Sequence, residues 1–206
     1  MGIIGVIEYD MGNIQSVVNA LEYISMPVKI VKNPEELISV DKIILPGVGA
    51  FGEGIKKLKE RNFVEALNSE VLNNKKPFLG ICLGMQLICK ESFEFGHFRG
   101  LGWIDASVRR LPNSPNLRIP HVGWNNLIYK RQNRLIKQDS SEESDVYFVH
   151  SYYVDGVNSD FTITSCIYGL EFTAALEQAN IFATQFHPEK SQKVGLNILR
   201  RFAGVN

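Results

Sequence analysis

Cysteine is scarce: 3 in 206 residues, with no Cys-x-x-Cys pair, so neither a disulfide framework nor a cysteine zinc site is expected. If Cys82 and Cys89 shared a helix, their separation of about 10 Å would be too long to bridge. The thiols read as free, in a reducing, cytoplasmic compartment. An excess of one charge is also missing. The 22 Lys+Arg against 22 Asp+Glu leave a formal net charge of zero, so no long-range field favours nucleic acid or anionic lipid. No apolar run approaches the roughly 18 residues of a membrane span. The longest, Met1 to Ile7, runs into Glu8 and Asp10, which does not suit a signal peptide, and Val6 stands where a myristoylation motif needs Ser or Thr. The 4 histidines, His97, His121, His150 and His187, are scattered without ligand spacing, so neither a metal nor a cofactor is implied. Trp103 and Trp124 read as packing residues.

What is present is an ordinary globular composition, 45% hydrophobic and 21% charged, enough for a full core. In the first half, short apolar runs alternate with helical patterns. Ile3 to Ile7, Val28 to Val31, Ile43 to Leu45 and Phe78 to Ile81 read as strands buried on both faces, as in a parallel sheet. Ile14, Val17, Val18, Leu21 and Ile24 repeat at helical spacing behind Asn13, an N-cap type, and Pro27 punctuates the unit. A second helical stretch from about Glu53 to Leu72, with a break near Asn62, joins the third strand to the fourth. The second half is β-rich: Tyr147 to Val154, Phe161 to Tyr168, Thr173 to Glu177 and Ile181 to Phe186 are linked by short turns that favour antiparallel pairing. Val194, Ile198, Leu199 and Phe202 predict a terminal helix packed on the sheet after Ser191. Leu111 to Pro120 and Gln132 to Ser144 read as exposed loops. The expectation is one domain over residues 1–206, an open α/β sheet with a parallel core, antiparallel additions and helices on both faces.

The strongest chemical signal is Gly80-Ile-Cys-Leu-Gly84, a cysteine between two glycines where an apolar strand meets a helical pattern. That is the arrangement of a nucleophile elbow, in which unpaired amides and the helix dipole favour a thiolate at the tip. The competing reading is a buried structural cysteine at a tight turn. Cys89 and Cys166 lack such a setting and are expected in the core. A thiol nucleophile needs a base, and His187 in Gln185-Phe-His-Pro-Glu189 is the best placed. Pro188 biases His187 to an extended backbone, and continued extension would put His187 and Glu189 on one side, the carboxylate orienting the imidazole. A loop histidine capping the last helix is the alternative. Gly47, Gly49 and Gly52 form a Gly-x-Gly-x-x-Gly after the third strand. The pattern is a phosphate fingerprint in dinucleotide-binding folds, but here it follows the wrong strand and lacks the acidic strand-end residue. An oxyanion loop is the better use.

Elbow, glycine loop and His-Pro-Glu together resemble the class I, or triad-type, glutamine amidotransferases over nearly the whole chain. Among them the closest likeness is to the glutaminase subunits of imidazole glycerol phosphate synthase. The matching segments are Tyr9 to Ser16, Leu45 to Phe51, Gly80 to Gln86, Pro120 to Asn125, Tyr147 to Tyr153 and Gln185 to Ser191. The resemblance implies a flavodoxin-like sheet and L-glutamine as substrate. It also implies a Cys82 thioester, His187 as proton carrier and Glu189 as its anchor. By the same carry-over, Gln86, Glu94 and backbone groups of Ser151 and Tyr152 hold the amino-acid end, while Gly47, Val48, Gly49 and Leu83 form the oxyanion site after the glycine strand reorients. The implied partner is a HisF-type (β/α)8-barrel cyclase, bound as a heterodimer through Trp124, Asn125 and Lys190, with Asn13 close to the glycine loop. Glu8 and Asp10 stand where that branch commonly has Asp and Gly. A paralogous glutaminase subunit serving a sugar amidotransferase in surface-polysaccharide synthesis is therefore the alternative to histidine biosynthesis. A dinucleotide-binding oxidoreductase and a non-catalytic interaction subunit are further readings of other classes.

Overall fold

The computed structural model of the chain describes residues 2–115, 117–137 and 145–205. Along the chain, β1 (Ile4–Ile7), α1 (Ile14–Tyr23), β2 (Val28–Val31), β3 (Lys42–Leu45), α2 (Phe51–Glu60), α3 (Phe63–Leu67) and β4 (Phe78–Ile81) complete the alternating half. After β4 come α4 (Leu83–Leu87), β5 (Cys89–Ser92), β6 (Phe98–Arg99), β7 (Ile104–Arg110), β8 (His121–Asn126) and β9 (Ile128–Tyr129). The chain continues with β10 (Asp145–His150), β11 (Tyr152–Asp155), β12 (Thr162–Ile167), β13 (Glu171–Gln178), β14 (Ile181–Thr184) and α5 (Gln192–Ala203). Among the described residues no helix is long and apolar enough to cross a membrane.

The main sheet has eight strands in the order β2-β1-β3-β4-β14-β13-β12-β9. From β2 to β14 the pairing is parallel, and β13, β12 and β9 extend it antiparallel. Successive side chains of a strand point to opposite faces, and here they feed two separate cores. Ile44, Leu79 and Ile81 pack with Val17 and Leu21 of α1 and Ile198, Leu199 and Phe202 of α5. Ile43, Leu45 and Phe78 pack with Phe51 and Leu58 of α2, Phe63 of α3 and Leu87 of α4. This double burial is why β1, β3 and β4 read as unbroken apolar runs. Each fully buried Ile or Phe contributes roughly 1.5–3 kcal/mol, against about 0–1 kcal/mol for an exposed ion pair, so the two layers hold the sheet together.

The antiparallel second half, the terminal helix and the helix break are as expected: Asn62 adopts a left-handed φ of 57° between α2 and α3. The Asn13 side chain accepts from the Ser16 amide at 3.4 Å as the cap of α1. Other expectations need correction. β2 is half-exposed rather than buried on both faces, because it is the sheet edge. Tyr147 to Val154 is two strands. The chain bends at Ser151, sending β10 to pair with β8 and β11 to a four-stranded sheet with β7, β5 and β6. The strands between residues 89 and 129 were not among those expected, although β7, Ile104-Asp-Ala-Ser-Val-Arg-Arg110, alternates apolar buried and polar outer residues. Of the two loops expected, residue 116 and residues 138–144 lie outside the described residues.

This strand order places a topological switch point between β1 and β3, where ligands gather at the carboxyl ends of open α/β sheets. The segment after β1, the glycine loop after β3 and the cysteine after β4 all lie at that end. One glycine there is dictated by contact: a methyl group at Gly84 would overlap the Leu45 carbonyl oxygen. Gly84→Ala should therefore destabilise the protein by about 3 kcal/mol or more, since backbone must move to make room, while Gly204→Ala, whose Cβ would meet only the Arg201 and Arg200 carbonyl oxygens at ordinary contact distances of 3.5 and 3.7 Å, stays within about 0.5 kcal/mol. Urea denaturation of the two variants checks this.

Candidate active site

Cys82 sits between β4 and α4 with φ 52° and ψ −104°, a conformation that costs a non-glycine residue on the order of 1–3 kcal/mol and collects at functional sites. The close packing around it explains why the strain persists. A Cβ on Gly80 would lie 2.7 Å from the Gly84 carbonyl oxygen, so glycines on both sides let strand and helix meet. α4 is only one turn and a half long and Cys89 opens β5, so Cys82 and Cys89 do not share a helix as entertained above. Cys89 and Cys166 are fully buried. Burial pushes the Cys89 thiol up and raises Cys166 to about 12.

Parallel pairing of β14 with β4 matches Thr184 to Ile81, and the Cys82 amide donates to the Thr184 carbonyl at 2.8 Å. The residues just beyond both strands therefore meet, which brings His187 beside Cys82. His187 is extended, as Pro188 requires, but Pro188–Lys190 is a 3-10 turn. The expected continued extension is absent, and the turn makes the contact instead: His187 Nδ1 lies 2.7 Å from Glu189 Oε1, both side chains being almost fully buried. Nε2 of His187 is buried without a hydrogen-bond partner of ordinary geometry. Burial alone would lower the imidazole pKa. Burial is the largest single influence, but the nearby Cys82 sulfur, as a charge and as a hydrogen-bond acceptor, and the Glu189 carboxylate together outweigh it and hold the pKa at about 10.

A cavity of about 390 Å³ opens over the sulfur, a size that suits a small metabolite. A larger hollow of about 490 Å³ lies among Lys130, Arg131 and Lys137 but contains no nucleophile, so chemistry rather than size selects the first. Gln86 and Glu94 both line the cavity over Cys82. Gln86 Nε2 donates to the Tyr152 carbonyl at 3.0 Å and to Gln185 Oε1 at 3.2 Å. Glu94 Oε2 accepts from the Phe51 amide at 2.6 Å, and burial raises its pKa against that bond. The Glu94 carboxylate thus occupies the start of α2, where a dinucleotide phosphate would have to sit. Ser151 and Tyr152 line the wall, but their carbonyls are engaged, Ser151 by the Leu111 amide at 2.9 Å and Tyr152 by Gln86.

Val48, Gly49 and Leu83 also line the cavity. The Leu83 amide, expected among the unpaired donors of the elbow, donates to the Gly47 carbonyl at 3.3 Å. The glycine loop, with Gly49 at φ 105°, therefore covers that donor. Gly12, next to Asn13, comes so near the loop that a Cβ there would lie 3.1 Å from Gly47 Cα. Trp124 is 48% exposed, which corrects the packing assignment. It meets Tyr147 edge-on at 5.9 Å, and Lys190 Nζ stands 6.0 Å over the same ring. Trp124, Tyr147 and Lys190 make one outward patch, whereas the Asn125 side chain turns inward to His121. Trp103 packs on Phe78. Glu8 pairs with Lys32. Asp10, left-handed at φ 64°, pairs with Arg61, filling a conformation that glycine would adopt freely. Neither residue lines the cavity.

Three neighbours of the sulfur, Gln185, Val149 and Tyr9, carried no signal as site residues. Gln185 Nε2 lies 3.7 Å from Cys82 Sγ, and Sγ lies 3.8 Å from the Val149 carbonyl. Tyr9 is fully buried with an unpartnered hydroxyl against the α-carbon of Gly47; burial, then the Cys82 charge, raises its pKa. Gln185 stood within a motif read for its histidine, and Tyr9 follows Glu8 beyond the apolar run, in a segment read only for its resemblance.

Because the Cys82 sulfur is the largest influence raising the His187 pKa, Cys82→Ala should leave burial dominant. The ring would then titrate well below about 10, and NMR titration of labelled histidine reads the change. One equivalent of iodoacetamide should modify Cys82 and spare Cys89 and Cys166, since only Cys82 opens to a cavity; peptide mass mapping checks this.

A family model described as Glutamine amidotransferase class-I matches residues 6–204. The chain is 48% identical over 200 residues to "Imidazole glycerol phosphate synthase subunit HisH 1" of Campylobacter jejuni subsp. jejuni, covering 97% of this chain and 98% of the relative. It is 42% identical over 204 residues to "Imidazole glycerol phosphate synthase subunit HisH" of Geobacter sulfurreducens, covering 97% of both. Among solved structures, one titled "Structure of PurLQS from Thermotoga maritima" superposes with a TM-score of 0.76 at 19% identity over 99% of both chains, which speaks to the fold alone. With nearly every residue from Val6 onward inside the family match, the chain belongs to the class-I glutamine amidotransferases and, among them, to the HisH subunits of imidazole glycerol phosphate synthase.

Proposed function

We propose that this chain, acting as one domain over residues 1–206, hydrolyses L-glutamine through a Cys82 thioester and passes the ammonia to a HisF-type (β/α)8-barrel cyclase for imidazole glycerol phosphate synthesis. The observation that carries the proposal is the cavity joining Cys82 to Gln86 and Glu94, backed by the buried His187–Glu189 pair. In this reading the Cys82 thiolate attacks the side-chain carbonyl carbon of glutamine. His187, protonated, gives its Nε2 proton to the departing nitrogen, so that ammonia leaves and a thioester remains. Neutral His187 then takes a proton from water as the water attacks the thioester. Collapse releases glutamate and restores the thiolate and the imidazolium. Glu189 holds Nδ1 throughout and stabilises the charged ring. Glu94, with one oxygen on Phe51, offers the other to the substrate ammonium, and Gln86 offers its carbonyl oxygen. A reducing cytoplasm suits a nucleophile that has to stay a free thiol.

The oxyanion needs donors, and the Leu83 amide is covered by Gly47. Lifting the Gly47–Gly49 segment frees it. One oxyanion amide is worth about 2.7–4 kcal/mol, or roughly a hundred- to a thousandfold in rate, so a partner that moves this loop controls the reaction. Trp124, Tyr147, Lys190 and, across the loop, Asn13 form the face proposed for that partner. Glu8 and Asp10, the two departures from the branch pattern, are engaged in ion pairs away from the cavity, and no observation favours the sugar-amidotransferase alternative.

Cys82→Ala should abolish glutamine hydrolysis, by at least about a thousandfold, while the complex still turns over its acceptor when ammonium salt replaces glutamine. Retained glutaminase activity would move the nucleophile elsewhere. The isolated chain should release glutamate slowly, and partner with bound acceptor ligand should accelerate it by roughly two to three orders of magnitude, with Gly49→Ala blunting the gain. A lone chain already at full speed would make it an autonomous amidase.

A further inference from the structure

Four polar groups form an unbroken line across the protein. Asn125 Nδ2 lies 3.3 Å from His121 Nε2, His121 Nδ1 lies 3.0 Å from His150 Nε2, and His150 Nδ1 lies 2.9 Å from the Tyr152 carbonyl. The same carbonyl accepts from Gln86 in the cavity. The direction of every bond in the line is fixed from its ends. A carbonyl only accepts, so His150 carries its proton on Nδ1 and presents a bare Nε2. His121 must then donate from Nδ1, leaving its own Nε2 as acceptor. Asn125 supplies the donor, and its orientation is set independently, because its Nδ2 also donates to the Ile167 carbonyl at 3.1 Å while its Oδ1 accepts from the Asn126 amide at 2.8 Å. Both ends demand the same polarity.

We infer that His121 and His150 are positioning residues that tie the outward strand β8, which carries Trp124, to the glutamine cavity, so that partner docking on that strand is felt at Gln86 through the Tyr152 carbonyl. The inference rests on the function proposed above. Its physical basis is rigidity: the His121 ring is stacked between Phe148, at 4.7 Å, and Tyr168, at 3.8 Å, and both histidines are buried, so displacing Asn125 from His121 Nε2 leaves a buried nitrogen unpaired. The line works only with both rings neutral. Burial lowers the His121 pKa to about 4, and burial, followed by the charges of His121 and His187, lowers that of His150 to about 3 against the Tyr152 bond.

Two measurements test it. In the full chain at pH 7, ¹⁵N NMR of labelled histidine should find His121 and His150 both neutral with the proton on Nδ1. An imidazolium or an Nε2–H tautomer at either overturns the inference. In the complex with the barrel partner, His121→Phe keeps the stacked ring and removes both hydrogen bonds. Activation of glutamine hydrolysis by the partner should fall by roughly two- to thirtyfold, as a rise in KM for glutamine, while partner affinity, ammonium-dependent turnover and the iodoacetamide reactivity of Cys82 match the parent. Full activation in a folded variant overturns the inference. Should His121→Phe not fold, Asn125→Asp serves: a carboxylate cannot donate to Nε2, so His121 must carry a proton there, as the other tautomer or as an imidazolium, and KM must rise with that change; an unchanged KM overturns the inference. A parent complex that fails to hydrolyse glutamine overturns the proposed function instead and leaves the tautomer result standing.

Discussion

The pairing of β4 with β14 is the constraint on which the site depends. These strands are distant in sequence and parallel in space, with Ile81 opposite Thr184, and the amide of Cys82 itself extends the ladder to Thr184. Parallel strands end on the same side of a sheet, so Cys82 and His187, proposed as nucleophile and proton carrier, leave their strands side by side. A shift of one residue in this register would turn the following side chains to the opposite face. The apolar layers above and below β4 and β14 therefore protect chemistry as well as stability, because each side chain of these strands is packed into one layer or the other and a slipped register would unpack both.

Around that junction, most polar groups are already committed. The carboxylate of Glu94 closes the start of α2, the Tyr152 carbonyl holds both Gln86 and His150, and the Leu83 amide is covered by the glycine loop. The buried groups left without partners are informative by contrast: of five among the described residues, His187 Nε2, Glu189 Oε2 and the Tyr9 hydroxyl cluster near the sulfur and the loop above it, and Thr164 Oγ1 and Gln178 Oε1 are the other two. A buried polar group without a partner costs about 1–3 kcal/mol, so the site holds free energy in reserve. A substrate carboxamide or a moved loop relieves part of it. This makes the covered arrangement a resting state in physical terms, stable through its packing and primed by its unpaired groups.

Much of this was legible in the chain itself. The apolar runs of β1, β3 and β4 gave themselves away because double burial removes alternation, and Gly80-Ile-Cys-Leu-Gly84 announced the elbow because only glycines allow strand and helix to approach so closely. His187 was found by its proline and its carboxylate neighbour, although the contact is made by a 3-10 turn rather than the extended backbone expected. Trp124 was misread because an exposed tryptophan on a short strand has the same local pattern as a buried one. Gln185, Tyr9 and the His121–His150 pair escaped because their roles lie in contacts between distant segments. No local spacing reports that β8 and β10 pair with His121 opposite His150.

Local grammar is written in the chain: where strands become helices, which cysteine has a turn built for it, and which histidine is held by an adjacent carboxylate. These follow from backbone sterics and side-chain periodicity, which act over a few residues. It took the folded chain to fix which ends share a cavity, that the Leu83 amide is covered by Gly47, and that Asn125 reaches the Tyr152 carbonyl through two neutral rings. Such relations are set by strand order and register, and those arise from the burial of two whole layers at once, a condition that no segment of the chain satisfies alone.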